Sequence, residues 1–227
     1  MSTVICLASS KGGPGKSTLT VILAGVYAVS NYRVLIIDAD AQRRLAAEWY
    51  DASRLPENIS VATAVHQDIA DKIAWGRDNF DVVLVDVEGS ASLTLANGVY
   101  NSDCILIPAN KSTMDLKDAM ATAALVEQYN SKSITRRAYG LVWNRVPPAI
   151  KSREMDNTAK AAVDAGIPVI FEVCERDAYR SMFSYGTILA RLDKKEVPGT
   201  AKAIEEGLRF AEAVAECIVH AQQKEVA

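Results

Sequence analysis

Nine consecutive residues, Ser10-Lys11-Gly12-Gly13-Pro14-Gly15-Lys16-Ser17-Thr18, carry the densest chemistry in this sequence. Glycines let successive backbone N–H groups turn toward one anion, and a helix starting at that point adds its partial positive charge. Lys16 can then reach β and γ phosphate oxygens, and the Ser17 hydroxyl can ligate Mg²⁺. A β-branched stretch precedes the run and an amphipathic helical one follows, which is the context a phosphate-binding loop requires. The loop departs from G-x-x-x-x-G-K-[ST] in two ways: Ser10 stands at the first glycine, and a second lysine, Lys11, sits beside it.

Two apolar runs end in acids. Val34-Leu35-Ile36-Ile37-Asp38-Ala39-Asp40-Ala41-Gln42 places two carboxylates at a strand tip, and Asp81-Val82-Val83-Leu84-Val85-Asp86 places one more. Taken alone, Asp-Ala-Asp after a strand reads as a helix cap. Beside a phosphate loop it reads as a pair for water and metal, and Asp86 takes the Walker B form, an acid that holds Mg²⁺ through water.

Such residues need a scaffold that gathers strand ends. Strands are predicted over 3–8, 33–38, 60–63, 81–86, 103–108, 138–142 and 168–171, alternating with helical spacing over 16–30, 42–51, 68–79, 116–129 and 152–165. Several strands are apolar throughout, as strands covered on both faces are. The expected fold is α/β, a doubly wound and mostly parallel sheet flanked by helices, with ligands at the carboxyl ends of the strands. Residues 200–223 predict a long last helix with Ala203, Leu208, Ala211, Val214, Ala215 and Ile218 on its apolar side. No repeat or linker divides the chain, so residues 1–227 read as a single domain.

The 227 residues are 49% hydrophobic, which excludes disorder. Lys+Arg 25 against Asp+Glu 28 gives a net charge of −3, so no global positive field draws the chain to nucleic acid. No apolar run approaches the roughly 20 residues of a membrane span, and the start lacks a secretion signal, so a cytoplasmic location is expected. Cys6, Cys104, Cys174 and Cys217 form no CxxC pair and read as small core residues.

The loop with its extra lysine, together with D-x-D-x-Q over 38–42, resembles the deviant Walker A ATPases of the ParA/MinD family. The resemblance covers nearly the whole chain. Val87-Glu88-Gly89-Ser90 stands at switch II and looks most like the small ParF-type partition ATPases. Pro108, Ser112 and Asp115 match a P-x-x-x-S-x-x-D segment near the dimer face, although Asp115 serves equally as a first-turn acid on the following helix. Asn144-Arg145 follows a strand, and Glu175-Arg176-Asp177-Ala178-Tyr179 with Tyr185-Gly186 resembles the segment lining the adenine pocket.

The resemblance implies an ATPase using ATP and Mg²⁺, weak alone, that forms an ATP-sandwich homodimer. Its catalytic residues would be Lys11, Lys16 and Asp40, with Lys11 crossing the dimer interface to the other subunit's nucleotide and Asp40 orienting the attacking water. Gly12, Gly13, Gly15, Lys16, Ser17 and Thr18 would hold phosphates, and the Asn144 amide would meet the adenine edge. Ser17, Asp38 and Asp86 would serve the metal. Gly89 would let switch II swing its N–H toward a γ phosphate. Glu88 has no role in this reading.

In such ATPases nonspecific DNA is bound by the ATP dimer through basic side chains near the C-terminal part, and a ParB-like or centromere-binding adaptor protein stimulates hydrolysis. Arg180, Arg191, Lys194 and Lys195, with Lys202 and Arg209 nearby, are the candidates, although a charge run is also simply a solvated face. The implied activity is segregation or positioning of a plasmid or similar cargo, nucleoid-associated and away from the membrane. Neither an N-terminal DNA-reading extension nor a MinD-type basic membrane helix is expected. VirC-type ATPases that promote DNA-strand transfer share the size and the segment near Glu175, and positioning of a protein cargo shares every motif. From another class, a small-molecule ATP-dependent ligase shares the nucleotide core, while an iron–sulfur reductase would need clustered cysteines that this chain lacks.

Overall fold

The computed structural model describes residues 2–40, 42, 44–51, 53–89, 92–149 and 152–226, with side chains left aside at 44 and 224–226. Strands and helices alternate as β1 (Thr3–Leu7), α1 (Lys16–Val29), β2 (Val34–Ala39), β3 (Ile59–Thr63), α2 (Ile69–Asn79), β4 (Val82–Val87), α3 (Leu93–Tyr100), β5 (Cys104–Ala109) and α4 (Thr113–Asn130). They continue with β6 (Ala138–Val146), α5 (Arg153–Asp164), β7 (Val169–Cys174), α6 (Asp177–Ser184) and α7 (Thr200–Val226). All seven expected strands are present. The helix expected over 42–51 contracts to a six-residue π-helix, Arg44–Trp49. The eight-residue helices α3 and α6 escape the periodicity argument because two turns carry too few apolar repeats to declare a face.

The strands form one sheet in the order β3-β2-β4-β1-β5-β6-β7, with every pairing parallel. The order turns at β1, which lies between β4 and β5, so the loop after β1 opens at the switch point where such sheets take ligands. Helices α1, α6 and α7 cover one face in a core with Ile5, Leu7, Ile36 and Leu84, and α2 to α5 cover the other with Val4, Cys6, Ile37 and Val85. Sheet alternation then decides where the acids go. Val34 and Ile36, like Val82 and Leu84, face α1, so two residues further on Asp38 and Asp86 fall on that same face. Those two aspartates are register partners on adjacent strands.

Helix α1 is apolar nearly all round because it is sandwiched between the sheet and α7. A Cβ added at Gly207 would lie 3.2 Å from Ile22 Cγ2, so a glycine lets α7 approach α1. The apolar stripe expected on α7 is corrected. Ala203, Gly207, Phe210, Ala211 and Val214 are buried, whereas Leu208 and Ala215 are exposed. Glu206, 3% exposed, occupies a core position on that stripe and disguises its phase. Among the described residues no helix is long and apolar enough to cross a membrane. All four cysteines are free thiols, Cys6 and Cys104 buried and Cys174 and Cys217 half-buried.

Candidate functional site

The chain leaves β1 through Ser9 and Ser10 and turns back into α1 by way of Gly13 (φ 94°) and Gly15 (φ 97°), in the left-handed region that suits glycine. Gly15 is the N-cap of α1 and no side chain caps it, so the first N–H groups of the helix face the loop and are available to an anion. Lys16 is buried, and its Nζ donates to the Lys11 carbonyl at 3.3 Å, which places a cation beneath the loop. Ser17 Oγ donates to Asp86 Oδ2 at 2.6 Å, joining the first turn of α1 to the tip of β4.

Burial pushes the fully buried Asp86 carboxyl up to about 7, with Asp38 adding repulsion, while the Ser17 hydrogen bond and the Lys16 charge oppose the rise. Burial also raises Asp38, the neighbouring backbone N–H groups opposing it. A hydroxyl and a carboxylate are the hard oxygen donors that Mg²⁺ takes. No cluster of three or more His, Cys, Asp or Glu able to hold a metal exists among the described residues, so a cation here needs phosphate oxygens as well. Asp38, expected in the metal shell, has both oxygens engaged by backbone: Oδ1 accepts from Asp40 N at 3.2 Å and Oδ2 from Ala46 N at 2.8 Å. It therefore pins the turn after β2 to the π-helix, whose Trp49 is fully buried and donates Nε1–H to the Thr187 carbonyl at 3.2 Å.

Asp40 stands half-exposed beyond the strand and accepts from Gln42 N at 2.8 Å, an Asx turn that sets its carboxylate at the rim. After β4, Gly89 lies flush on the phosphate loop. A Cβ built there would sit 2.4 Å from Gly12 N and from the Lys11 carbonyl carbon and oxygen, so only glycine permits this approach. Ser90, at the end of the switch II segment, and Ala41, inside the D-x-D-x-Q pattern, lie outside the described residues. Lys11 Nζ pairs with Asp115 Oδ1 at 3.0 Å. Asp115 also accepts from the Asn110 side chain at 2.7 Å and donates its own N–H to the N-cap Ser112 Oγ. Asp115 is thus the first-turn acid of α4 and engages the loop lysine of its own chain. Burial opposes ionisation of Asp115, but Lys11 and Asn110 outweigh it and bring its carboxyl below the usual range.

Beside Thr18 a cleft of about 320 Å³ is lined by Asn144, Arg145, Cys174, Arg176, Tyr179 and Phe183, among others. Between Trp143 and Val146 the register of β6 against β7 slips, and Arg145 takes φ 51°. Two residues after Val142, Asn144 falls on the face that α1 covers, and its Nδ2 donates to the Pro14 carbonyl at 2.8 Å. Asn144 thus lies at the junction of loop and cleft, 3% exposed. Its amide lies so close to Gly15 that a Cβ there would meet Nδ2 at 2.0 Å. A left-handed non-glycine residue costs about 1–2 kcal/mol, and Arg145 carries that strain at the mouth of the cleft. The bulge could not be read from sequence, because Trp143-Asn144-Arg145 continues a strand pattern without a glycine to mark it.

The basic candidates divide. Arg180 lines the cleft and pairs with Glu175 and, at 3.0 Å, Asp177. Arg191 lines a second cleft of about 430 Å³ with Arg54, Tyr185, Asp193 and Glu196, and donates to the Arg54 carbonyl at 2.9 Å. Lys194 and Lys195 are exposed immediately after it. Arg54 is an addition by tertiary structure, more than a hundred residues away in sequence.

Comparison with known proteins bears on this arrangement. A family model described as the CobQ/CobB/MinD/ParA nucleotide binding domain matches residues 5–189. Protein ParA of Rhizobium radiobacter is 32% identical over 213 residues, covering 93% of this chain and 95% of that protein. Protein virC1 of Rhizobium rhizogenes is 24% identical over 220 residues, covering 92% of each. The septum site-determining protein MinD of Pyrococcus horikoshii OT3, solved with Mg-ADP, matches with a TM-score of 0.73 at 18% identity, covering 97% of this chain and 99% of that one. That last likeness is one of fold.

Proposed function

This chain belongs to the CobQ/CobB/MinD/ParA nucleotide-binding family, and from that premise we propose that it is a ParA-like ATPase. It binds ATP with Mg²⁺, closes as an ATP-sandwich homodimer, binds nonspecific DNA and hydrolyses ATP to segregate or position a plasmid or similar cargo. The observation that carries this reading is Lys11, a second loop lysine 45% exposed at the rim of an intact phosphate loop rather than folded beneath it as Lys16 is.

The chain's own groups divide the work. The loop N–H groups and Lys16 bind the phosphates, and the cleft beyond Asn144 receives the base. Ser17 and Asp86 would hold Mg²⁺, whose charge would offset that of the phosphates. Asp40 orients the attacking water, Asp38 keeps the switch turn in place, and Lys11 supplies a cation in trans to the other subunit's nucleotide. Gly89, already against the loop, senses the γ phosphate through its N–H. An adaptor protein of the ParB type accelerates the reaction by ordering these switches, a population shift rather than new chemistry.

Binding to a nonspecific duplex, measured with ATP and then with ADP across a salt series, tests the reading. Strong, salt-sensitive binding with ATP alone is expected. Absence of binding in both states would overturn the DNA part and favour positioning of a protein cargo or a ligase, the latter recognised by a small carboxylate that raises turnover. A second reading, promotion of DNA-strand transfer, rests on the similarity to virC1 along nearly the whole of both chains, and a preference for one DNA element over random duplex would select it.

A further inference from the structure

Helix α7 carries one charged side chain where packing calls for an apolar one. Glu206 is 3% exposed on the stripe of Ala203, Gly207 and Phe210, and a buried carboxylate is strongly unfavourable unless its oxygens are satisfied. Its donors all come from one short segment. Cys174 N–H donates at 3.0 Å, Arg176 Nε at 3.3 Å, Arg176 Nη2 at 2.7 Å and Tyr179 Oη at 2.7 Å. Cys174, Arg176 and Tyr179 all line the cleft that Thr18 and Asn144 join to the phosphate loop. Burial acts to raise the Glu206 carboxyl, but Arg176, Tyr179 and Cys174 outweigh it and leave the group below its usual range, ionised at neutral pH.

An arginine held through both Nε and Nη2 cannot rotate about its last bonds, and a phenol held at its hydroxyl keeps its ring plane. Two immobilised planar groups beside a phosphate loop are suited to a flat heteroaromatic ring, on which guanidinium and phenol both pack. An apolar residue at 206 would fill the stripe equally well and leave both groups loose, so packing gives no reason for the carboxylate.

We propose that Glu206 is a positioning residue for the base of the nucleotide, fixing Arg176 and Tyr179 as a preformed wall of the cleft. Holding the wall in advance removes the ordering cost that base binding would otherwise carry. The inference rests on the nucleotide reading above and adds to it a residue of α7 that does not itself touch the ligand.

The test compares the full chain with its Glu206→Gln and Tyr179→Phe variants, titrated calorimetrically with MgATP, MgADP and Mg-tripolyphosphate, the last having phosphates but no base. Glu206→Gln should weaken ATP and ADP alike by about tenfold, the effect of one or two lost oriented contacts. Tripolyphosphate binding should stay unchanged, and KM for ATP should rise while kcat at saturation holds. Tyr179→Phe, which keeps the Glu206–Arg176 pair, should show a smaller loss of the same pattern and serves if the first variant fails to fold. Unchanged nucleotide affinity in a parent chain that binds ATP would overturn this inference alone. Equal loss of tripolyphosphate would reduce Glu206 to a structural role and overturn it as well. A parent chain that fails to bind ATP would bring down the nucleotide reading and this inference with it.

Discussion

Lys11 Nζ lies 3.0 Å from Asp115 Oδ1 of its own chain, across the mouth of the phosphate loop. The lysine expected to reach a second subunit is therefore held in cis by the first turn of α4. In the proposed sandwich dimer, closure would exchange this carboxylate for phosphate oxygens, so Asp115 would compete with the neighbouring nucleotide for the same cation. Asp115→Asn should shift ATP-dependent dimerisation to lower protein concentration in sedimentation velocity, and Lys11→Ala should retain ATP binding while losing that dimerisation. Dimerisation unchanged in both variants would remove Lys11 from the interface.

Asp40 sits at the rim, where one carboxylate oxygen accepts from Gln42 N and its own N–H donates to Asp38 Oδ1. Asp40→Ala should bind ATP with near-parental affinity and lose hydrolysis by a factor of about 10²–10⁴, the usual worth of a group that handles the water proton. The variant should then persist as an ATP dimer. A variant that stays monomeric with ATP would refute the sandwich arrangement.

Asn144 ties the cleft to the loop through Pro14, at 2.8 Å and fully buried. Asn144→Ala leaves that carbonyl without its donor, which should cost about 1–3 kcal/mol of stability and weaken ATP binding. Gly15→Ala is expected to be harsher for function, because the new Cβ would lie 2.0 Å from Asn144 Nδ2 at a backbone φ of +97°. Calorimetry should find no nucleotide binding, and a normal isotherm from Gly15→Ala would show that the loop relaxes.

Glu206 has its carboxyl held below the ordinary value by Arg176 and Tyr179, against burial. A depressed acid contributes stability above its unfolded pKa and loses it as pH falls through the folded one. Acid denaturation of the parent should therefore steepen below about pH 4.3, the unfolded glutamate value, and Glu206→Gln should flatten that limb. Identical acid limbs in urea titrations at pH 3 to 6 would contradict the assignment.

Arg191 lines the cleft with Arg54, and Lys194 and Lys195 are exposed just after it in the chain. Replacing all three with alanine should weaken DNA binding and make its salt dependence shallower by about 0.9 in log–log slope for each lost phosphate contact, with ATP affinity intact. Undiminished DNA affinity would move the contact surface elsewhere. Arg180, neutralised by Glu175 and Asp177, should contribute less than any of them.

What could be read in the sequence was local. Glycine spacing in 12–15 marks a loop that turns back on itself, apolar runs ending in Asp38 and Asp86 put acids at strand tips, and apolar strands alternating with helices imply a covered parallel sheet. None of these depends on which distant residues meet. The tertiary structure decided the pairings made across long separations. Asn144 reaches Pro14 from 130 residues away because its strand, β6, lies in the same sheet as β1 with Asn144 on the face that α1 covers, and Lys11 meets Asp115 from 104 residues away because the order of the sheet sets β5 beside β1. Glu206 breaks the apolar period of α7 because its donors, Arg176 and Tyr179, arrive from another element. A period argument scores each residue by its own polarity, whereas the burial of a charge is decided by partners that only the folded chain supplies.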